Sequence, residues 1–245
     1  MDARAGQRYA AEFLGTLGLL VFGGGAAVLT LNGPGGDPRI VLVSFAFGLT
    51  VMAGAYAFGE LSGAHFNPAV TLSMALAGKM PRRDVIPYLL AQVLGALVGI
   101  SIVLGIVAGS SSALSAARGA ALASQCYSAP GAPAGCGFSL GSVFLIEFIA
   151  TFLFVFVIHA LTRPDSAAKN LAPLGIGLTL AVTNLMAIPV DGASINPARS
   201  FAPALLSYFW PGAGWALQES WVFWVAPILG GLLAAGVSRL FERAK

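Results

Sequence analysis

The sequence predicts an all-α membrane protein: six transmembrane helices and two re-entrant half-helices, arranged as two inverted three-helix repeats. Three observations carry this reading. The composition is too apolar for water, six stretches are long enough to cross a bilayer, and the second half of the chain repeats the first, including an Asn-Pro-Ala triplet.

Of the 245 residues, 57% are hydrophobic and only 9% charged, with a mean hydropathy of +0.84. A soluble domain carries roughly a quarter of its residues as charges, so a lipid bilayer is the expected solvent. A net charge of +3 without a basic run argues against a nucleic-acid partner. The segment Met1 to Arg8 runs straight into a stretch long enough to span, which reads as a membrane helix rather than a cleaved leader.

A hydrocarbon core about 30 Å thick needs about 20 helical residues, and six segments qualify, at about 9–31, 40–60, 85–108, 138–161, 171–190 and 219–240. Their small residues, among them Gly23-Gly24-Gly25, Gly95, Gly99, Gly230 and Gly231, suit close helix packing in lipid. Two further apolar stretches, about 66–78 and 195–207, reach only about half-way across. With six spans, the termini and the second and fourth loops share one side. That side holds ten of the 13 Lys and Arg residues, leaving Arg39, Arg118 and Arg199 opposite. Both termini are therefore expected in the cytoplasm, in a multi-pass protein of the cell membrane.

The chain 1–245 reads as one channel domain: repeat one over about 9–108, an external linker rich in Ser, Ala, Gly and Pro over about 109–137, and repeat two over about 138–241. Glu12-Phe13-Leu14-Gly15-Thr16 is echoed by Glu147-Phe148-Ile149-Ala150-Thr151, Gly48-Leu49-Thr50 by Gly177-Leu178-Thr179, and Asn67-Pro68-Ala69 by Asn196-Pro197-Ala198. The asparagine follows the Gly-Leu-Thr glycine by 19 residues in both halves, Gly48 to Asn67 and Gly177 to Asn196. Three spans per half is an odd number, so the second copy is inverted.

Asn is a strong N-cap and Pro favours the first helical position, so each triplet opens a half-helix. Inversion brings the two openings together near the midplane. Each carries about half a positive charge, and each Asn keeps an amide donor. A water molecule there turns its oxygen to the asparagines, which interrupts proton relay, while the positive helix ends repel cations. One Asn-Pro-Ala alone would be an ordinary cap; two in register in an inverted repeat are far more specific.

The preceding stretches, Gly63-Ala64-His65-Phe66 and Gly192-Ala193-Ser194-Ile195, are expected as extended loops at membrane depth. Backbone there must line a watered cavity, so the carbonyls of Gly63, Ala64, His65, Phe66, Gly192, Ser194 and Ile195 are assigned to the pore wall. Arg199 lies about 4.5 Å into the second half-helix, where an arginine costs at least ~2.5–3.5 kcal/mol and marks a pathway. Phe47 and Asn184 lie about 10 and 9 Å below the outer ends of their spans. With Ala193 and Arg199 they form the expected selectivity filter.

Glu12 and Glu147 are buried acids placed symmetrically, which favours loop support over proton coupling; Gln92 is expected to serve similarly. Neither His65 nor His159 has a Cys or acid at ligand spacing, so neither metal nor cofactor is expected. His65 is placed at the inner vestibule and His159 in a structural role. Cys126 and Cys136 fall in the external loop, where a disulfide and two free thiols are both open readings.

The paired triplets, the second extended to Asn196-Pro197-Ala198-Arg199-Ser200, closely resemble the aquaporin family over nearly the whole chain. Gly63-Ala64-His65-Phe66-Asn67-Pro68-Ala69-Val70, Phe223-Trp224-Val225-Ala226-Pro227, Ala204 and Ser200 resemble its bacterial water-channel branch; glycerol channels usually carry Asp at the Ser200 position. The resemblance implies a pore in each subunit of a homotetramer, with Phe47, Asn184, Ala193 and Arg199 as the filter. Bacterial water channels usually have His at the Asn184 position and Thr or Cys at the Ala193 position, which implies a wider or less polar ring here.

The expected function is a passive channel that conducts water and excludes protons and ions. The alternative is a facilitator of other small neutral solutes, such as glycerol, hydrogen peroxide or ammonia, through a widened filter. An ion-coupled secondary transporter ranks lower, because it would want midplane acids at the substrate site. An intramembrane enzyme ranks last, since no catalytic acids, Ser–His dyad or metal ligands fall in the expected pore.

Overall fold

The computed structural model describes residues 3–31, 37–129, 131–133 and 135–241. Among these, six helices are long and apolar enough to span: Arg4–Leu29, Pro38–Ser62, Arg82–Val107, Leu140–Leu161, Lys169–Asp191 and Gly214–Phe241. The first span is α1 (Ala3–Gly18) and α2 (Gly25–Leu29), joined through a π-helical stretch, Leu19–Gly24. The others centre on α3 (Asp37–Ser62), α5 (Val85–Val107), α7 (Leu140–Leu161), α8 (Ala172–Asp191) and α11 (Val222–Ser238). Outward faces carry Leu42, Leu90, Leu94, Leu145, Leu153, Val182 and Met186 exposed, the surface that lipid would cover.

The packing follows the internal repeat. Within the first half α1 packs on α5, within the second α7 packs on α11, and α3 and α8 join the halves. Glycines set all three crossings. A Cβ on Gly95 would stand 2.3 Å from the Phe13 carbonyl oxygen, and one on Gly230 would stand 2.3 Å from that of Phe148. These are equivalent pairs in the two halves. At the central crossing, a Cβ on Gly48 would stand 2.5 Å from the Gly177 oxygen, and one on Gly177 would stand 2.6 Å from the Gly48 oxygen. In lipid, where no hydrophobic effect drives helices together, such backbone contact is the main source of packing energy.

The half-helices are α4 (Pro68–Leu76) and α9 (Pro197–Ser207), each opening at the proline of its triplet. α4 packs against α11 and α9 against α5, so each half-helix docks on a span of the other half. The linker between the halves has helical structure of its own. It contains α6 (Ser111–Gly119), capped by the Ser110 side chain accepting the Ala113 N–H. In the second half, α10 (Gly214–Glu219) forms the first turns of the last span. Cys126 and Cys136 form a disulfide, which settles the two open readings of these residues.

Candidate functional site

Both triplets cap their helices as the residue chemistry requires. Asn67 is extended, with φ −155° and ψ 122°, and its Oδ1 accepts the Ala69 N–H at 2.9 Å. Asn196 has φ −146° and ψ 109°, and its Oδ1 accepts the N–H groups of Ala198 at 3.0 Å and Arg199 at 3.3 Å. The amide nitrogens cross between halves. Asn67 Nδ2 donates to the Ile195 carbonyl and Asn196 Nδ2 to the Phe66 carbonyl, both at 2.8 Å. A primary amide has two N–H groups, so each asparagine retains one donor.

The loops before the triplets are not extended. Gly63, Ala64 and Phe66 have φ of 86°, 49° and 50°, and Gly192, Ala193 and Ile195 have φ of 90°, 54° and 56°. In a regular strand the backbone alternates sides, and interleaved left-handed residues break that alternation. Such conformations are costly for non-glycine residues, most of all for β-branched Ile195. Buried acids hold them in place. Glu12 Oε1 accepts from Ser62 Oγ at 2.7 Å and the His65 N–H at 3.0 Å; its Oε2 accepts from the Phe66 N–H at 2.7 Å and Gln92 Nε2 at 2.8 Å. Glu147 accepts the N–H groups of Ser194 at 2.6 Å and Ile195 at 2.7 Å. Gln92 thus supports the acid, and also Thr71 at 2.9 Å, rather than the loop directly.

A cavity of about 900 Å³ runs from Thr162, Lys169 and Asn170 at one end, past Asn67 and Asn196, to Phe47, Asn184 and Arg199 at the other. Gly63, Ala64, His65, Phe66 and Ser194 line it, whereas Gly192, Ala193 and Ile195 are not among its lining residues. The carbonyl ladder needs the corresponding correction. The carbonyls of Phe66 and Ile195 are engaged by the asparagines, and that of Gly192 accepts from an Arg199 Nη at 3.3 Å. Among the described residues, those of Gly63, Ala64, His65 and Ser194 accept no hydrogen bond and are the acceptors left for a solute.

At this second end the Arg199 guanidinium lies 5.2 Å from the Phe47 ring centroid, a cation–π distance. Gly23 makes room for that ring, since a Cβ there would stand 2.3 Å from it. Asn184 Nδ2 donates back to the Leu180 carbonyl at 2.8 Å, which leaves its side-chain oxygen and its second amide N–H for a solute. Ala193 is buried behind this level, its N–H donating to Asp191 Oδ1 at 2.8 Å. His65 lines the cavity with Nδ1 3.1 Å from Thr71 Oγ1. His159 is fully buried, between Ser73 Oγ at 2.9 Å and Lys79 Nζ at 3.1 Å.

Two participants, Ser62 and Asp191, were not singled out from the sequence. The offset that carries Asn67 onto Asn196 also carries Ser62 onto Asp191, and that alignment is the signal that could have found them.

Comparison with known proteins agrees with this geometry. The family described as Major intrinsic protein matches residues 2–237. The chain belongs to this family. It is 40% identical over 235 residues to a protein named Aquaporin Z from Rhodopseudomonas palustris, covering 96% of this chain and 93% of that one. It is also 40% identical over 240 residues to an Aquaporin Z from Photorhabdus laumondii, covering 98% and 99%. Among solved structures, the aquaglyceroporin from Plasmodium falciparum superposes with a TM-score of 0.79 at 26% identity, covering 95% and 94% of the two chains. A major intrinsic protein of this kind is a channel rather than an enzyme.

Proposed function

We propose that the protein is a passive channel that conducts water across the membrane and excludes protons and ions. One observation carries the proposal: the cavity passes two asparagines that cap opposed half-helices and are bonded crosswise to each other's loops. Each asparagine offers its remaining N–H to a passing oxygen, and both positive helix ends face the same level. Water is held with its hydrogens pointing away on both sides, so no proton relay forms. The relatives named Aquaporin Z support water as the solute. The filter is assigned to Phe47, Asn184 and Arg199, with Ala193 packed behind them, and the exposed backbone carbonyls to the wall.

A second reading, facilitation of other small neutral solutes, is favoured by the filter itself. Asn184 is tied back to its own helix, and Ala193 brings no hydroxyl. The skew of Lys and Arg supports cytoplasmic termini in the cell membrane, and family resemblance supports a homotetramer.

In proteoliposomes, stopped-flow shrinkage should accelerate without proton flux; a proton leak matching that of a protonophore would overturn the half-helix argument. Asn184→His with Ala193→Thr is expected to lower glycerol and peroxide uptake about tenfold or more while water flux stays within about twofold. Complete exclusion of both solutes by the unmodified protein would refute the wider filter.

A further inference from the structure

The first span packs by a repeat that a regular α-helix cannot hold. It buries Gly15, Leu19, Gly23 and Ala27, each four residues after the last. A regular helix turns about 100° per residue, so such a row drifts about 40° at every step. The span corrects part of this drift within itself. Leu19–Gly24 is π-helical, and the Gly25 N–H reaches back five residues to the Leu20 carbonyl. The wider turn keeps Gly23 on the face turned to Phe47.

The Phe47 ring fills the space that a side chain at residue 23 would need. An added Cβ would stand 2.3, 2.5 and 2.7 Å from three of its carbons. Ordinary carbon–carbon contact is about 3.5–4.0 Å, so the ring would have to retreat by about 1 Å or more. Phe47 lines the cavity and Gly23 does not, so the ring stands between the first span and the cavity, and retreat carries it toward the cavity. The other half solves the same problem differently. The offset that carries Glu12 onto Glu147 carries Gly23 onto Ile158, and the offset that carries Gly48 onto Gly177 carries Phe47 onto Ile176. Both isoleucines line the cavity themselves. One half divides its wall between two medium side chains, and the other gives it to a single ring backed by a glycine.

We propose that Gly23 is a positioning residue that determines specificity: having no side chain, it seats the Phe47 ring back against the first span and sets how far that ring projects into the cavity beside Arg199. The π-helical stretch holds the glycine at the depth where this matters. The role rests on reading this end of the cavity as the filter.

The test compares Gly23→Ala, Phe47→Ala and the double variant with the unmodified protein, by Tm in detergent and by flux of water, hydrogen peroxide and glycerol in proteoliposomes. Gly25→Ala is the control on the same span, since its Cβ would stand 3.4 Å from Val103 Cγ2, an ordinary contact. Gly23→Ala should lower Tm by about 2 °C or more when Phe47 is present. In the Phe47→Ala background the same change should leave Tm unchanged or raise it, because alanine favours a helix over glycine. Gly23→Ala should also cut flux of the largest of the three solutes that the unmodified protein conducts by about tenfold or more, and smaller ones less. An equal Tm loss with and without Phe47, an unchanged solute profile in Gly23→Ala, or the same changes in Gly25→Ala overturns the proposal. If the unmodified protein conducts none of the three, the channel reading fails and the specificity role falls with it. If it conducts and the Tm values show no coupling, the proposal alone fails.

Discussion

Gly48→Leu is expected to leave little or no folded channel. The added Cβ would stand 2.5 Å from the Gly177 carbonyl oxygen and 2.8 Å from the Ala181 Cβ. The first of these atoms is backbone, so no rotamer change relieves the contact, and α3 and α8 must separate. Overpacking commonly costs ~1–3 kcal/mol, and parting the helices that join the two halves belongs at or above the top of that range. The measurement is monodisperse yield and Tm in detergent, with Gly105→Leu as control, since nothing lies within 4 Å of a Cβ there. An unchanged Tm for Gly48→Leu would show that the halves are not in backbone contact.

The second large effect is expected for Glu12→Ala. A carboxylate has about four lone-pair sites, and Glu12 accepts from Ser62, His65, Phe66 and Gln92. Truncation orphans two backbone N–H groups and two side-chain donors, at ~1–3 kcal/mol for each buried group left unsatisfied. The same donors hold Ala64 and Phe66 in left-handed conformations that cost about 1–3 kcal/mol each. The loop should therefore relax into the cavity, with water flux per folded protein falling at least about tenfold. Glu147→Ala should follow in the same direction with a smaller loss, because Glu147 accepts two backbone N–H groups and, among the described residues, no side-chain N–H like that of Gln92. The reverse order in stopped-flow rates would contradict this account of the loops.

The parts of the fold legible in the sequence are those encoded locally. Asn67-Pro68 and Asn196-Pro197 declare helix starts through capping chemistry, and lengths of apolar chain declare the spans. Arg199 is conspicuous because a guanidinium at membrane depth needs a reason. The left-handed loop residues were not legible, since Ala64, Phe66, Ala193 and Ile195 carry no local preference for positive φ. Carboxylates distant in sequence impose it. Gly48 and Gly177 were visible as repeat markers, but not as the point of closest approach, which depends on how α3 and α8 are turned. Asp191 at the end of a span reads as an interface acid until Ser62 is laid beside it. The cap at Ser110 was present in the linker sequence, although the linker reading did not extend to a helix there.

The crosswise amide bonds have a mechanical consequence. Asn67 grips the backbone beside Asn196, and Asn196 grips the backbone beside Asn67, so the midplane is riveted from both directions. A carrier that opens alternately to either face must slide one half over the other at this depth, shearing both rivets in every cycle. A molecule fastened in this way is built to stand still. Its throughput should scale with the driving gradient without saturating, and labelled solute on the far side should produce no counterflow acceleration.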